Sequence, residues 1–159
     1  MSTDARLHPD LEPLAFLLGT WRGEGEGDYP TIEPFSYTEE ATFGHSGRPL
    51  LSYLQRTWSA GDGAPMHSES GFLRPAANGS LELVIAHAFG NVEVSEGSRH
   101  GQRIELDSRA LVPTSTANEV DSVRRVIEVD GDTMTYRIDM ATSGEPLQQH
   151  LVATLTRAR

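Results

Sequence analysis

Cysteine is missing from all 159 residues, which excludes disulfide frameworks, cysteine zinc sites, iron–sulfur clusters and thiol catalysis together. Any metal has to be held by histidine, carboxylate or tyrosine. Long apolar runs are missing too: no window approaches the ~20 consecutive apolar residues of a membrane-spanning helix, and the opening MSTDARLHPD has no basic segment leading into an apolar stretch. A cytoplasmic protein without a membrane partner is the expectation. Basic residues are scarce, 13 against 23 acidic for a net charge of −10, so the average surface potential repels phosphate backbones and anionic lipid. Nucleic acid is therefore not an expected partner. Low-complexity tracts, internal repeats and linker-like shifts of composition are also absent. The length suits one domain, read as residues 8–159, with residues 1–7 as a flexible N-terminus.

What is present begins with a short helix. Asp10 is placed to cap it, Pro13 is tolerable in its first turn, Leu11, Leu14, Ala15 and Leu18 recur at helical spacing, and Gly19 ends it. From Thr20 onward the period changes to two. In TWRGEGEGD one face carries Trp21, Gly23, Gly25 and Gly27 and the other Arg22, Glu24 and Glu26. Nine further runs alternate in the same way, among them PFSYTEEATFGH, MHSESGFLRP, SLELVIAHA and PLQQHLVATLTR, separated by turn-forming clusters such as GDGAP, NG, DGD and SGEP. The expected fold class is all-β: a ten-stranded up-and-down antiparallel barrel, in which closure removes exposed edges. Strand count alone leaves a sandwich open. More than eight strands enclose space that side chains do not fill, so a ligand cavity is expected before any motif is considered.

Glycine weakens a strand, so a glycine-rich face needs a reason. Two are open: room for a flat ligand beside Trp21, or a barrel corner where the strand coils tightly. The GEGEG string is not a dinucleotide loop, because no helix follows it. His67 and Glu69 share one face of their strand, as an oriented metal ligand or as a polar pair. His87, after the apolar run LELVIA, reads as a buried, hydrogen-bonded histidine.

Gly19, Trp21, Gly23 and Gly25 spell GxWxGxG, the motif that marks the nitrobindin family. Tyr29 to Ile32 with Pro34 and Phe35 are similar to that family's YPTIxPF segment. Met66, His67, Glu69, Gly71, Phe72 and Arg74 resemble its MHxExGFxR strand, and Pro146, Leu147, His150 and Leu151 its PLxxHL strand. The resemblance spans nearly the whole chain. It implies a barrel shaped like the fatty-acid-binding proteins that binds heme b, with His150 as the axial iron ligand and Thr31 lining the site. It also implies isomerisation of peroxynitrite to nitrate at ferric heme, alongside reversible nitric oxide binding. No catalytic residue beyond the heme iron is expected. The position before Tyr29, basic in some nitrobindins, is Asp28 here. The rival reading is a non-catalytic, fatty-acid-binding-protein-like carrier of an apolar small molecule, in which His150 is incidental.

Parity on the last strand sets a test. Leu147, Leu151, Ala153 and Leu155 alternate on one face, and His150 falls on the other with Gln148, Val152 and Thr154. Either a bulge shifts the phase, or the leucine face packs outside, against the N-terminal helix or a second subunit, while His150 points into the cavity. The second is the favoured expectation, and it carries a homodimer with it.

Overall fold

A computed structural model describes residues 5–159. A 3₁₀ helix, Pro9–Leu17, leads into ten strands: β1 Gly19–Tyr29, β2 Ile32–Gly44, β3 Leu51–Ser59, β4 Pro65–Pro75, β5 Ser80–His87, β6 Asn91–His100, β7 Arg103–Pro113, β8 Ser122–Asp130, β9 Thr133–Thr142 and β10 Glu145–Arg157. Each strand pairs antiparallel with the next, and β1 pairs with β10, closing the barrel. The ten alternating runs of the sequence are these ten strands. No helix among the described residues is long and apolar enough to cross a membrane.

The N-terminal helix departs from expectation in kind. Prolines at positions 9 and 13 remove two amide donors, and the segment winds at three residues per turn rather than 3.6. That period brings Leu11, Leu14 and Leu17 onto one buried face, whereas Ala15, expected there, is exposed. Its cap is the His8 ring, whose Nδ1 accepts from the Asp10 amide; Asp10 is not the cap. The helix closes one end of the barrel. The Trp21 indole donates to the Leu17 carbonyl at 2.8 Å. Arg157 stacks over the Trp21 ring at 4.2 Å and donates to the carbonyls of Phe16 and Leu18. Of the expected flexible N-terminus, residues 1–4 lie outside the described residues, and Leu7 packs against the core.

The outward-facing leucine stripe is overturned. Gln149 pairs with Asp139 and Leu151 with Ile138, so β10 spends two residues where β9 spends one and His150 is the extra residue of a bulge. The phase shift turns Leu151, Ala153 and Leu155 into the core and leaves Leu147 46% exposed. The ground for a second subunit on that stripe disappears with it.

Candidate functional site

The open end of the barrel, away from the helix, is built around His150. Its ring meets Tyr29 edge-on at 5.4 Å between centroids and Phe35 at 6.5 Å. Tyr29 is buried, and Phe35 shares its strand face with the core residues Tyr37 and Ala41, so His150 stands on the cavity side of the rim. The bulge is what allows a histidine and the leucine after it to face the same interior. His150 Nδ1 lies 3.2 Å from the Asp28 carbonyl, and Nε2 has no hydrogen-bond partner among the described residues. Burial, opposed by that carbonyl and reinforced by the nearby His67, holds the imidazole below the usual histidine range. A neutral ring with its Nδ1 proton held by a carbonyl leaves the Nε2 lone pair free for a metal. The donor chemistry fits a heme iron ligand.

The glycines position this rim. Gly25 pairs across the sheet with Tyr37 and Gly27 with Phe35, and a Cβ on either would meet the partner ring, at 2.3 Å and 2.1 Å respectively. The two aromatic rings therefore lie down over the glycines, which holds the Phe35 ring near His150. Gly23 lets β10 approach: a Cβ there would stand 2.1 Å from the Thr154 carbonyl oxygen. Space for a flat ligand beside Trp21 is not what this face provides, because protein atoms fill it; Trp21 itself sits at the helix-plugged end. Gly23→Ala is expected to destabilise the barrel by about 1–3 kcal/mol through overpacking at the β1–β10 seam, measured as a lower urea midpoint. Gly19, at φ +122°, makes the turn from helix to strand, a conformation other residues rarely adopt. Thr31 is exposed in the two-residue turn between Tyr29 and β2, next in sequence but one to the ring that packs on His150.

Deeper in the barrel lies a buried polar network that the alternation of the strands did not disclose. Arg125 donates to Glu69 Oε1 at 3.0 Å and to Glu93 Oε1 at 2.8 Å, and all three side chains are buried. Tyr53 adds a bond to Glu69 Oε2 at 2.9 Å. His87 Nε2 lies 2.9 Å from Glu93 Oε1 and its Nδ1 3.1 Å from His67 Nε2. The expected His67–Glu69 pair is present at 3.5 Å, and His87 is hydrogen-bonded as expected. Burial alone would raise the Glu69 and Glu93 carboxyls. Arg125 overrides it, bringing Glu93 down to about 2 and Glu69 well below the usual range. A signal for this was present in the sequence: Arg125 occupies an inward position of β8 beside the buried Val123, whereas the inward neighbours of Glu93 on β6, Asn91 and Ser95, are themselves polar. It could not be paired without knowing which strands face each other.

A second carboxyl group behaves oppositely. Glu39 accepts from Gln55 at 2.9 Å and from the Tyr136 hydroxyl at 2.6 Å, but burial outweighs both bonds and pushes it up to about 7. Because its folded value exceeds its unfolded one, the stability it contributes is complete below pH 4.5 and is lost as pH rises through about 7. At about 1.4 kcal/mol per unit, that loss amounts to roughly 3 kcal/mol. Glu39→Gln is expected to flatten the fall between pH 4.5 and pH 8, read from denaturation midpoints across that range.

The interior cavity lined by Glu39, Tyr53, Leu73, Arg125, Met134 and Leu155 has a volume of only about 50 Å³. A groove of about 1020 Å³, whose lining includes the charged strand residues Arg22, Glu24, Arg124 and Arg137, reaches neither His150 nor His67. The chemistry sits at the rim, in neither of these spaces.

Fold and site together define a ligand-binding antiparallel barrel, plugged at one end and presenting a metal-competent imidazole at the other. The chain belongs to the family described as THAP4-like, heme-binding beta-barrel domain, which matches residues 10–157. It is 49% identical over 163 residues, all of both chains, to Peroxynitrite isomerase 2 of Mycobacterium avium (strain 104). It is 50% identical to Peroxynitrite isomerase of Nocardia farcinica, over 95% of this chain and 92% of that one. The crystal structure of Rv2717c from M. tuberculosis superposes with a TM-score of 0.91 at 44% identity, over 97% of this chain and all of the other. The resemblance to the nitrobindins drawn from the motifs is thereby borne out.

Proposed function

We propose that this chain is a heme-dependent peroxynitrite isomerase that holds one heme b at the barrel rim through His150. The observation that carries the reading is the state of that ring: neutral, its Nδ1 proton held by the Asp28 carbonyl, its Nε2 unpartnered, between two aromatic edges. Relatives similar over the full chain and named peroxynitrite isomerase support the activity. Bound ferric heme supplies a Lewis-acidic iron that polarises a peroxynitrite oxygen and promotes its rearrangement to nitrate.

The protein's own part is positioning. Asp28 fixes the tautomer, the bulge aims the ring, Phe35 and Tyr29 shield it from water, and Thr31 is proposed to contact the porphyrin from the β1–β2 turn. Since the interior holds about 50 Å³, against about 300–1,000 Å³ for a typical small-molecule pocket, the porphyrin belongs at the rim. The same limit disfavours an apolar cargo deep inside. Nitric oxide binding is part of the same reading. Stopped-flow decay of peroxynitrite is expected to accelerate with heme-loaded protein and not with heme-free protein. Decay no faster than with free hemin would remove the catalytic assignment.

A further inference from the structure

Beside the rim, three side chains converge for which the proposed reaction has no use. His67 Nε2, His87 Nδ1 and Glu69 Oε1 form a triangle with edges of 3.1, 3.5 and 3.5 Å. Ligand atoms about 2.0–2.1 Å from a tetrahedral zinc ion stand about 3.3 Å apart. The triangle therefore already has the spacing of three zinc ligands. We infer that His67, Glu69 and His87 form a binding site for one divalent transition-metal ion, zinc by preference, separate from the His150 site.

The surroundings match what such ligands need. Glu93 Oε1 takes the Nε2 proton of His87 at 2.9 Å, which in the neutral ring leaves the Nδ1 lone pair facing the centre of the triangle. A histidine ligand whose second nitrogen is held by a carboxylate is the usual outer-shell arrangement at zinc. Glu69 is held from behind by Arg125, at 3.0 Å to Oε1, and by Tyr53, at 2.9 Å to Oε2. Two histidines and one carboxylate are a recurrent donor set that leaves a position for water.

Charge and access agree with this assignment. Around the triangle, the two carboxylates of Glu69 and Glu93 face the one guanidinium of Arg125. The cluster has more acid than base, so a cation is welcome there despite the guanidinium. An ion has a way in. The His67 side chain is 26% exposed, and beside His87 its ring neighbour is Phe89, 5.2 Å between centroids and itself 66% exposed. Without metal, the three groups satisfy one another: His67 donates to the His87 lone pair, and a bound ion would replace that proton.

The test uses the purified protein with its heme, stripped of other metals with a chelator, desalted and titrated calorimetrically with zinc chloride. One zinc per chain is expected, with His67→Gln and His87→Gln each weakening it at least tenfold, and with heme-free wild type and His150→Ala, compared with each other, binding it alike. Zinc K-edge absorption should then report two imidazoles and one carboxylate. His67 is partly exposed, so His67→Gln keeps the test decisive if His87→Gln folds poorly by circular dichroism. Absence of saturable one-to-one binding, or affinity within twofold of wild type in His67→Gln, would overturn the site. Loss of zinc in His150→Ala would show that the metal sits at the heme position instead. Failure of heme binding with zinc binding intact would strike only the isomerase reading.

Discussion

His150→Ala is expected to keep the barrel and lose the heme. The residue sits at the rim, with Tyr29, Phe35 and the Asp28 carbonyl as its ring and hydrogen-bond partners, away from the central leucine core, so the thermal midpoint should move little. Removing even an outer partner of a metal ligand typically costs about 10–100-fold in affinity, and removing the ligand itself should cost at least about 100-fold. Hemin titration reads this as loss of the saturating Soret shift seen with wild type. Peroxynitrite decay should fall to the rate of free hemin in the same variant. Equal Soret titrations in wild type and variant would refute the ligand assignment. A finer variant separates position from identity: deleting one residue of the Gln148–Gln149 pair should reset the phase of β10. His150 would then remain in the sequence but turn outward, with heme affinity lost as in the alanine variant.

The second large effect belongs to Arg125. Arg125→Met leaves Glu69 and Glu93 facing each other in the core with no counter-charge, and breaking a buried pair from one side costs about 3–5 kcal/mol. In a domain of this size that lowers the melting temperature by roughly 10 °C or more. The loss is one of unpaired charge, so adding Glu69→Gln and Glu93→Gln to Arg125→Met should recover much of it. In wild type the two carboxylates have depressed values, so their contribution is present above about pH 4.5 and disappears as pH falls towards about 2. Glu39 works in the other direction, losing its contribution as pH rises through about 7. The interior thus sets a stability maximum on the acidic side of neutrality. Arg125→Met should abolish the acid limb of that curve while leaving the Glu39 limb in place.

The class of fold was legible because it depends on local pattern. Period-two alternation with regular turns specifies ten strands, and ten short strands with tight connections close into a barrel. The absence of cysteine narrowed the residue types that could hold a metal, and the family motifs singled out His150 for the proposed role. Local pattern also misled where one residue alters the phase. The leucines of β10 could be placed only once the pairing with β9 showed His150 to be an extra residue, since parity read along one strand cannot detect a bulge. The N-terminal segment misled similarly, because two prolines changed its winding from 3.6 to 3.0 residues per turn and exchanged which leucines are buried.

Alternation, turn spacing and composition, all carried within single segments, determined the all-β architecture, the strand count and the range of chemistry open to a chain with no cysteine. Which side chains meet was decided by tertiary structure alone. Glu69 on β4, His87 on β5, Glu93 on β6 and Arg125 on β8 come together only because closure curls their inward faces onto one axis. The register between strands, and the bulge that breaks it, turned a glycine motif into a seat for Phe35 and Tyr37 and turned His150 toward the cavity. Register depends on the whole barrel closing at once, which no single strand encodes.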